Sequence, residues 1–137
     1  MKKKLNCILL IDDDDVTNFI NKTIITDVAC SDSIHAVQSG VDALSYLTTT
    51  KNSTAHPELI FLDINMPGMD GWEFLDKYDL LDEEQKAKVV IIMLTTSLNP
   101  DDKQKADQNP IIKGFKNKPL SKNTINDIIA TYFPEHI

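Results

Sequence analysis

The stretch "LIFLDINMPGMDG", residues 59–71, places four apolar residues directly before an aspartate and a turn. Short apolar runs without polar alternation are typical of strands that are buried on both faces of a parallel sheet. Pro67, Gly68 and Gly71 indicate a tight turn, because proline and glycine supply the backbone angles that turns require. The pattern therefore predicts a buried strand that ends in Asp63, with its carboxylate at the rim of the sheet.

Similar apolar runs recur along the chain, and segments with helical spacing separate them. These runs cover residues 7–11, 34–37, 89–94 and 113–115. Asp70 with Glu73 resembles a capping box, and Asn99 followed by Pro100 is typical of a helix start. Five strands that alternate with helices over short connections predict an α/β protein with a doubly wound parallel sheet.

Apolar residues at helical spacing also predict which helix faces are buried. The first helix is expected to pack through Val16, Phe19, Ile20 and Ile24. The last helix is expected to pack through Ile125, Ile128, Ile129, Tyr132 and Phe133.

Length and composition restrict the class of protein. The 137 residues suit one domain, 1–137, and we expect no output domain after the last helix. A formal net charge of −7 disfavours nucleic acids and anionic membranes as partners. The N-terminal apolar run is short and ends in aspartates, so we expect neither a signal peptide nor membrane insertion. Cys7 and Cys30 form no CxxC motif, which favours reduced thiols and a cytoplasmic location.

Polar side chains follow the predicted strands at the points where the strands end. Asp12 and Asp13 follow the first strand, Asp63 the third and Thr95 the fourth, and Lys118 comes just beyond the fifth. In doubly wound sheets, ligands bind outside the carboxyl ends of the strands. We therefore expect these side chains to converge on one site.

The residue types at this site favour phosphoryl chemistry with a metal ion. Three carboxylates in one pocket repel one another unless a cation joins them, and oxygen ligands suit Mg²⁺. A carboxylate beside such a metal can attack phosphorus and form an aspartyl phosphate. The metal, a lysine ammonium and a hydroxyl would then neutralise the oxygens of the transferred group.

Four motifs, in this order, resemble the receiver domain of two-component response regulators. They are "ILLIDD" at 8–13, "LIFLDINMPGMDG" at 59–71, "VIIMLTTS" at 90–97 and "NKPL" at 117–120. The resemblance covers nearly the whole chain. It implies a flavodoxin-like, five-stranded (βα)5 fold with the strand order 2-1-3-4-5. It also implies a signalling domain that catalyses only its own phosphorylation and slow dephosphorylation.

The resemblance implies roles for the acidic residues. Asp63 would accept the phosphoryl group, Asp13 would bind Mg²⁺ directly, and Asp12 would support the metal through water. The backbone carbonyl of Asn65 would be a further ligand, and Mn²⁺ would be a possible substitute. Because residues 12–15 are all aspartates, the ligand positions remain open by one residue.

The resemblance also implies phosphoryl contacts and a switch. Thr95 and Lys118 would contact the phosphoryl group, and the peptide bond between Lys118 and Pro119 would be cis. On phosphorylation, Thr95 would move inward and the ring of Phe115 would follow it.

By the same resemblance, three residues would tune the lifetime of the phosphoryl group: Asn65, Thr96 and Ser97. The donor would be a histidine kinase or a histidine phosphotransfer protein. An unknown downstream protein would bind the fourth and fifth helices and the fifth strand, roughly residues 99–133. The protein would be a monomer or a phosphorylation-dependent dimer.

Two other interpretations compete with the receiver. "ILLIDDDDV" at 8–16 also fits the haloacid dehalogenase-like phosphatases, with Asp12 as nucleophile and Asp14 as acid–base. That interpretation leaves residues 63–71 without a purpose, and no acidic pair follows Lys118. The other is a receiver-like module that binds partners without phosphorylation, although such a module would not need the repulsive acidic cluster.

Overall fold

A computed structural model of the chain describes residues 4–51, 53–86, 89–96, 99–118 and 120–134. Over these residues the chain forms five strands and six helices. In chain order they are β1 (Leu5–Ile11), α1 (Asp15–Val28), β2 (Ser31–Val37), α2 (Gly40–Thr49), β3 (Leu59–Leu62), α3 (Gly71–Asp79), α4 (Glu83–Lys86), β4 (Val90–Thr95), α5 (Pro100–Gln108), β5 (Ile112–Asn117) and α6 (Lys122–Tyr132).

The strands form one parallel sheet in the order β2-β1-β3-β4-β5, which confirms the predicted flavodoxin-like fold. In the central register, Ile11 lies opposite Leu62, and Leu62 lies opposite Met93. The carboxyl ends of β1, β3 and β4 therefore finish at the same edge of the sheet. The residues that follow these strands are brought together at that edge.

Two hydrophobic clusters cover the two faces of the sheet. Side chains alternate along each strand, so Leu9 and Ile11 belong to one cluster and Ile8 and Leu10 to the other. The first cluster packs against α2, α3 and α5, and the second packs against α1 and α6. β1 and β3 are buried on both faces, as their unbroken apolar runs predict.

The predicted helix starts and the predicted face of the last helix are confirmed. Asp70 and Glu73 form a reciprocal capping box at the start of α3. Asn99 caps α5 through its side chain, and Pro100 occupies the first turn. On α6 the buried positions are Ile125, Ile128 and Ile129, followed by buried Phe133 and partly buried Tyr132.

The predicted buried face of α1 is wrong for three of its four residues, whereas Ile24 packs partly buried against the core. Val16, Phe19 and Ile20 are 63%, 71% and 45% exposed, and the buried residues are Asn18, Asn21 and Ile25. The amide nitrogen of Asn18 donates hydrogen bonds to the backbone oxygens at the ends of β1 and β2, which compensates for its burial. This anchoring turns the apolar side chains of the first two turns toward solvent.

One short helix was not predicted. In α4 a single turn is stabilised at its start by a reciprocal pair of hydrogen bonds between Asp82 and Gln85, at 3.0 and 2.9 Å. A single turn is too short to show helical periodicity in the sequence. Across the described ranges, none of the helices has the length and apolar character needed to cross a bilayer.

Candidate functional site

Two buried aspartates lie side by side at the carboxyl edge of the sheet. Asp12 follows β1 and Asp63 follows β3, and the backbone nitrogen of Asp63 donates to the oxygen of Ile11 at 3.0 Å. One carboxylate oxygen from each of Asp12, Asp13 and Asp63 lies within 4.8 Å of the others. Asp12 and Asp63 are only 4% and 6% exposed, whereas Asp13 is exposed. The parallel register therefore creates a carboxylate cluster with one open side.

Lys118 lies against both buried carboxylates. Its ammonium donates a short hydrogen bond to Oδ2 of Asp12 and lies 3.3 Å from Oδ1 of Asp63. The backbone nitrogen of Lys118 donates to the oxygen of Thr95 at 2.8 Å, which ties the lysine to the end of β4. The acids, the threonine and the lysine that sequence analysis selected thus lie at one edge of the sheet.

The electrostatics of the cluster favour the binding of a cation. Burial, together with the charges of Asp12 and Asp13, raises the pKa of Asp63, although Lys118 opposes this shift. Burial disfavours the charged form of Lys118, but its hydrogen bond to Asp12 and the charges of Asp12 and Asp63 outweigh that effect and raise its pKa. One ammonium contacts two of the three clustered carboxylates, so negative charge remains for a further cation to neutralise.

The other two aspartates of the run serve the helix. Asp14 caps α1, because its carboxylate accepts from the nitrogen of Val16 at 3.0 Å and from the hydroxyl of Thr17 at 2.8 Å. The hydrogen bond from Thr17 also lowers the pKa of Asp14. Asp15 begins the helix and accepts a short hydrogen bond from the side chain of Gln38. The carboxylates of Asp12 and Asp13 are the ones that meet Asp63.

The loop from β3 to α3 closes tightly beside the acids. The backbone nitrogen of Gly71 donates to the oxygen of Ile64 at 2.8 Å. A Cβ atom on Gly71 would lie only 2.5 Å from the backbone oxygen of Asp63. Gly68 has a φ of +78°, in the left-handed region that glycine adopts most easily. Asn65, two residues after Asp63, is exposed in this turn.

The predicted switch pair lies on neighbouring strands. Thr95 is completely buried at the end of β4, opposite Asn117 in the register with β5. Phe115 is half-buried on β5, and the ammonium of Lys103 on α5 lies 5.9 Å from the centre of its ring. Thr96 is exposed at the rim. The predicted tuning residue Ser97 and the predicted cis peptide at Pro119 lie outside the described residues.

Two buried polar residues near the site were not predicted. Asn18 and Asn21 are 5% and 4% exposed, and both face the sheet from α1 close to Asp12 and Asp63. Their spacing of three residues is a helical spacing, but the expected core face was apolar. The sequence signal that could have predicted their burial is this pair of asparagines in the first two turns of α1, shortly after the run of aspartates.

Comparison with known proteins identifies the family of the chain. The family model for the response regulator receiver domain matches residues 8–130. The chain therefore belongs to the response regulator receiver domain family, which serves two-component signal transduction. Receiver domains are signalling domains, and this membership leaves no support for the phosphatase alternative with Asp12 as nucleophile.

Solved and curated relatives cover most of the chain. The crystal structure of a two-component response regulator from Cytophaga hutchinsonii has a TM-score of 0.88 and 35% identity, and the match covers 96% of this chain and 99% of that one. The chemotaxis protein CheY of Treponema pallidum is 29% identical over 90% of this chain and 80% of its own length. The hybrid signal transduction histidine kinase L of Dictyostelium discoideum is 30% identical over 95% of this chain, which spans only 7% of that relative.

Proposed function

We propose that the protein is a phosphorelay response regulator that accepts a phosphoryl group on Asp63. The observation that carries this proposal is the arrangement of three carboxylates around one lysine ammonium at the carboxyl edge of the sheet. A module that only bound partners would have no use for this repulsive cluster. We expect the protein to act in the cytoplasm, in line with its two free cysteines.

The donor set fits Mg²⁺, with Mn²⁺ as a possible substitute. Asp12, Asp13 and Asp63 offer carboxylate oxygens within 4.8 Å of one another, and hard divalent cations prefer oxygen ligands. In this proposal these side chains and the backbone carbonyl of Asn65 would hold the ion. When bound, the metal supplies positive charge to the oxygens of the transferred phosphoryl group.

The residues of the chain divide the work of phosphoryl transfer. A carboxylate oxygen of Asp63 attacks phosphorus, and the new P–O bond forms as the bond from phosphorus to the donor's histidine nitrogen breaks. The ammonium of Lys118 stays beside Asp63 and binds an oxygen of the arriving group. The hydroxyl of Thr95 binds another oxygen. Attack of water on the acyl phosphate later releases inorganic phosphate and returns Asp63 to its carboxylate form.

The donor is proposed to be a histidine kinase or a histidine phosphotransfer protein. Val16, Phe19 and Ile20 are exposed on α1, and this helix begins two residues after Asp13. An apolar surface beside a polar reaction centre suits a helix that presents a phosphohistidine to Asp63. The similarity of the chain to part of a hybrid signal transduction histidine kinase supports this class of donor.

The output is proposed to be a protein–protein contact through α5, β5 and α6, roughly residues 99–133. Of the α5 side chains only Ala106 is buried, so this helix is weakly anchored to the sheet. Phe115 lies on β5 below it, within reach of Lys103. A movement of the ring would change the surface that a downstream protein contacts, in a monomer or in a phosphorylation-dependent dimer.

The experiment that tests this function is intact-mass measurement after incubation with Mg²⁺ and acetyl phosphate. The wild type should gain one phosphoryl group that hydroxylamine removes, because acyl phosphates react with this nucleophile. Asp63→Asn should gain none, whereas the matched control Asp76→Asn, at an exposed position on α3, should label like the wild type. Labelling that persists in Asp63→Asn and disappears in Asp12→Asn would overturn the proposal.

A further inference from the structure

A small cavity lies behind the acidic cluster, between the sheet and α1. Asp12 and Asp63 line it from the sheet, Asn18 and Asn21 line it from α1, and apolar side chains such as Leu10 complete its walls. The space in this cavity that the centre of a water molecule can occupy is about 10 Å³. Such a volume accommodates one water, provided that polar partners surround it.

The carboxylates of the two aspartates face this cavity. Leu10 and Phe61 belong to the cluster that packs against α1 and α6. Residues two positions apart on a strand point to the same face of the sheet. Asp12 and Asp63 follow Leu10 and Phe61 by two residues, so their side chains lie on the α1 side as well.

Asn18 contributes a buried acceptor next to the cavity. Its amide nitrogen donates to the oxygen of Asp12 at 2.9 Å and to the oxygen of Val37 at 3.3 Å. These two bonds fix the amide orientation, because the reverse orientation would bring oxygen against oxygen. Oδ1 of Asn18 is then left buried without a hydrogen-bond partner among the described residues. A buried oxygen of this kind calls for a donor, and water is the donor that fits the space.

We propose that Asn18 and Asn21 are positioning residues of the phosphoacceptor site, which hold one buried water beneath Asp12 and Asp63. The water donates one hydrogen to Oδ1 of Asn18 and the other to the carboxylate of Asp63. Both oxygens of Asp12 already accept hydrogen bonds, from the nitrogen of Asp14 and from Lys118. The ammonium of Lys118 contacts Asp63 at Oδ1, and the Asp63 carboxylate still has lone pairs that can accept a hydrogen bond from the water. The side chain of Asn21 forms the polar wall opposite the sheet.

The role of this water rests on the proposed function of Asp63. A hydrogen bond from below restrains the rotation of the Asp63 carboxylate, so the attacking oxygen is oriented before a donor arrives. Loss of one such hydrogen bond from the transition state should slow phosphorylation about tenfold. The folded state should depend on the water much less than the reaction rate does.

The test uses a variant that fills the cavity and leaves the Asn18 donor bonds in place. Asn21→Leu adds volume and removes the polar wall, whereas Asn21→Ser keeps a hydroxyl and leaves room for water. Asn123→Leu makes the same change at an exposed position of α6 and is the matched control. For each protein we would measure the phosphorylation rate against acetyl phosphate concentration with Mg²⁺, the urea midpoint, and a high-resolution crystal structure.

We expect an ordered water between Oδ1 of Asn18 and Asp63 in the wild-type crystal structure, and none in Asn21→Leu. The maximal rate of Asn21→Leu should fall about tenfold at an unchanged half-saturating donor concentration, while Asn21→Ser and Asn123→Leu stay near the wild type. A cavity without water overturns the inference, as does a wild-type rate in Asn21→Leu. If Asn21→Leu does not fold, the wild-type crystal structure still decides the water. If the wild type gains no phosphoryl group, the proposed function fails. The wild-type crystal structure alone then decides whether the water is present.

Discussion

The ammonium of Lys118 bridges the two buried carboxylates of the site, with a hydrogen bond to Asp12 and a distance of 3.3 Å to Oδ1 of Asp63. This is the one cation that the described residues bring to the acidic cluster. The same ammonium therefore partly neutralises the carboxylates in the unphosphorylated protein and would bind the phosphoryl group during transfer. The bridge also ties residues from β1, β3 and the end of β5 into one unit.

Replacing this lysine should slow phosphorylation without preventing folding. Lys118→Met keeps the length of the side chain but removes the charge that would stabilise the phosphoryl oxygens. We expect labelling of Asp63 by acetyl phosphate to slow about 100-fold, the usual cost of removing one preorganised electrostatic partner. Intact-mass kinetics measure the effect, and Lys116→Met, at an exposed position on β5, is the control. Equal rates for both variants would contradict the role of Lys118.

Gly71 should not tolerate a side chain. A Cβ atom there would lie 2.5 Å from the backbone oxygen of Asp63 and 2.9 Å from the Cα atom of Ile64, and backbone atoms cannot turn aside as a flexible side chain can. We expect Gly71→Ala to lower the free energy of unfolding by about 1–3 kcal/mol and to displace the phosphoacceptor loop. Urea unfolding measures the first effect, and labelling kinetics measure the second.

Gly68 provides a comparison that separates crowding from backbone strain. No atom lies within 4 Å of a Cβ placed on Gly68, but its φ of +78° is costly for residues with a side chain. Gly68→Ala should lower the free energy of unfolding by about 1–2 kcal/mol. Gly68→Asn should lower it less, because asparagine tolerates the left-handed region. If Gly71→Asn also lowered the free energy of unfolding less than Gly71→Ala does, crowding would not be the cause of the destabilisation at Gly71.

Protonation of His56 should make the fold less stable in mild acid. His56 is 8% exposed, and its Nδ1 lies 3.2 Å from the hydroxyl of Thr50, while burial lowers its pKa. The unfolded chain takes up a proton near pH 6.5 that the folded His56 resists. The free energy of unfolding should therefore decrease as the pH falls below about 6.5.

Urea unfolding at pH 7.5 and at pH 5.5 tests this linkage. We expect His56→Gln to lose less stability between the two pH values than the wild type, because the buried proton acceptor is gone. His35→Gln, at an exposed position on β2, serves as the control for the loss of one histidine. Parallel losses in His56→Gln and in the wild type would show that other groups govern the acid response.

Strand patterns and the strand-end residues predicted the sheet and the acidic site, and helix periodicity predicted α6. The buried face of α1 was predicted wrongly because it depends on a tertiary contact. Asn18 is buried only because two strand ends present backbone oxygens to it, at 2.9 and 3.3 Å. Periodicity in one segment carries no information about such partners. The cavity beneath Asp63 could not be predicted for the same reason.

The exposed face of α1 should be needed for transfer from a protein donor but not from a small molecule. Phe19 is 71% exposed, so Phe19→Ser should leave the fold and labelling by acetyl phosphate unchanged. Transfer from a phosphorylated histidine phosphotransfer protein should slow at least tenfold, because an apolar contact beside the site is lost. Leu80→Ser is the control, because Leu80 is also exposed but follows α3. Equal transfer rates for Phe19→Ser and Leu80→Ser would exclude α1 as the docking surface.

The ring of Phe115 should move inward when Asp63 is phosphorylated. At rest the ring is half-buried and lies 5.9 Å from the ammonium of Lys103, a contact that favours the outward position by about 0.5–1 kcal/mol. Fluorine NMR of protein labelled with fluorophenylalanine would report the ring, since the chain has only 5 phenylalanines and Phe115→Leu assigns the signal. Phosphorylation should shift the Phe115 signal and leave that of fully buried Phe74 in place.

Lys103→Met provides the decisive comparison for this switch. Without the cation the ring should populate the inward position two- to fivefold more at rest, which follows from the size of a cation–π contact. Its signal should therefore shift part of the way without any phosphoryl group, and Asp63→Asn should show no shift when acetyl phosphate is added. If Asp63 becomes fully labelled and the Phe115 signal stays at its resting position, the ring does not switch, and the output must be transmitted through α5 by another contact.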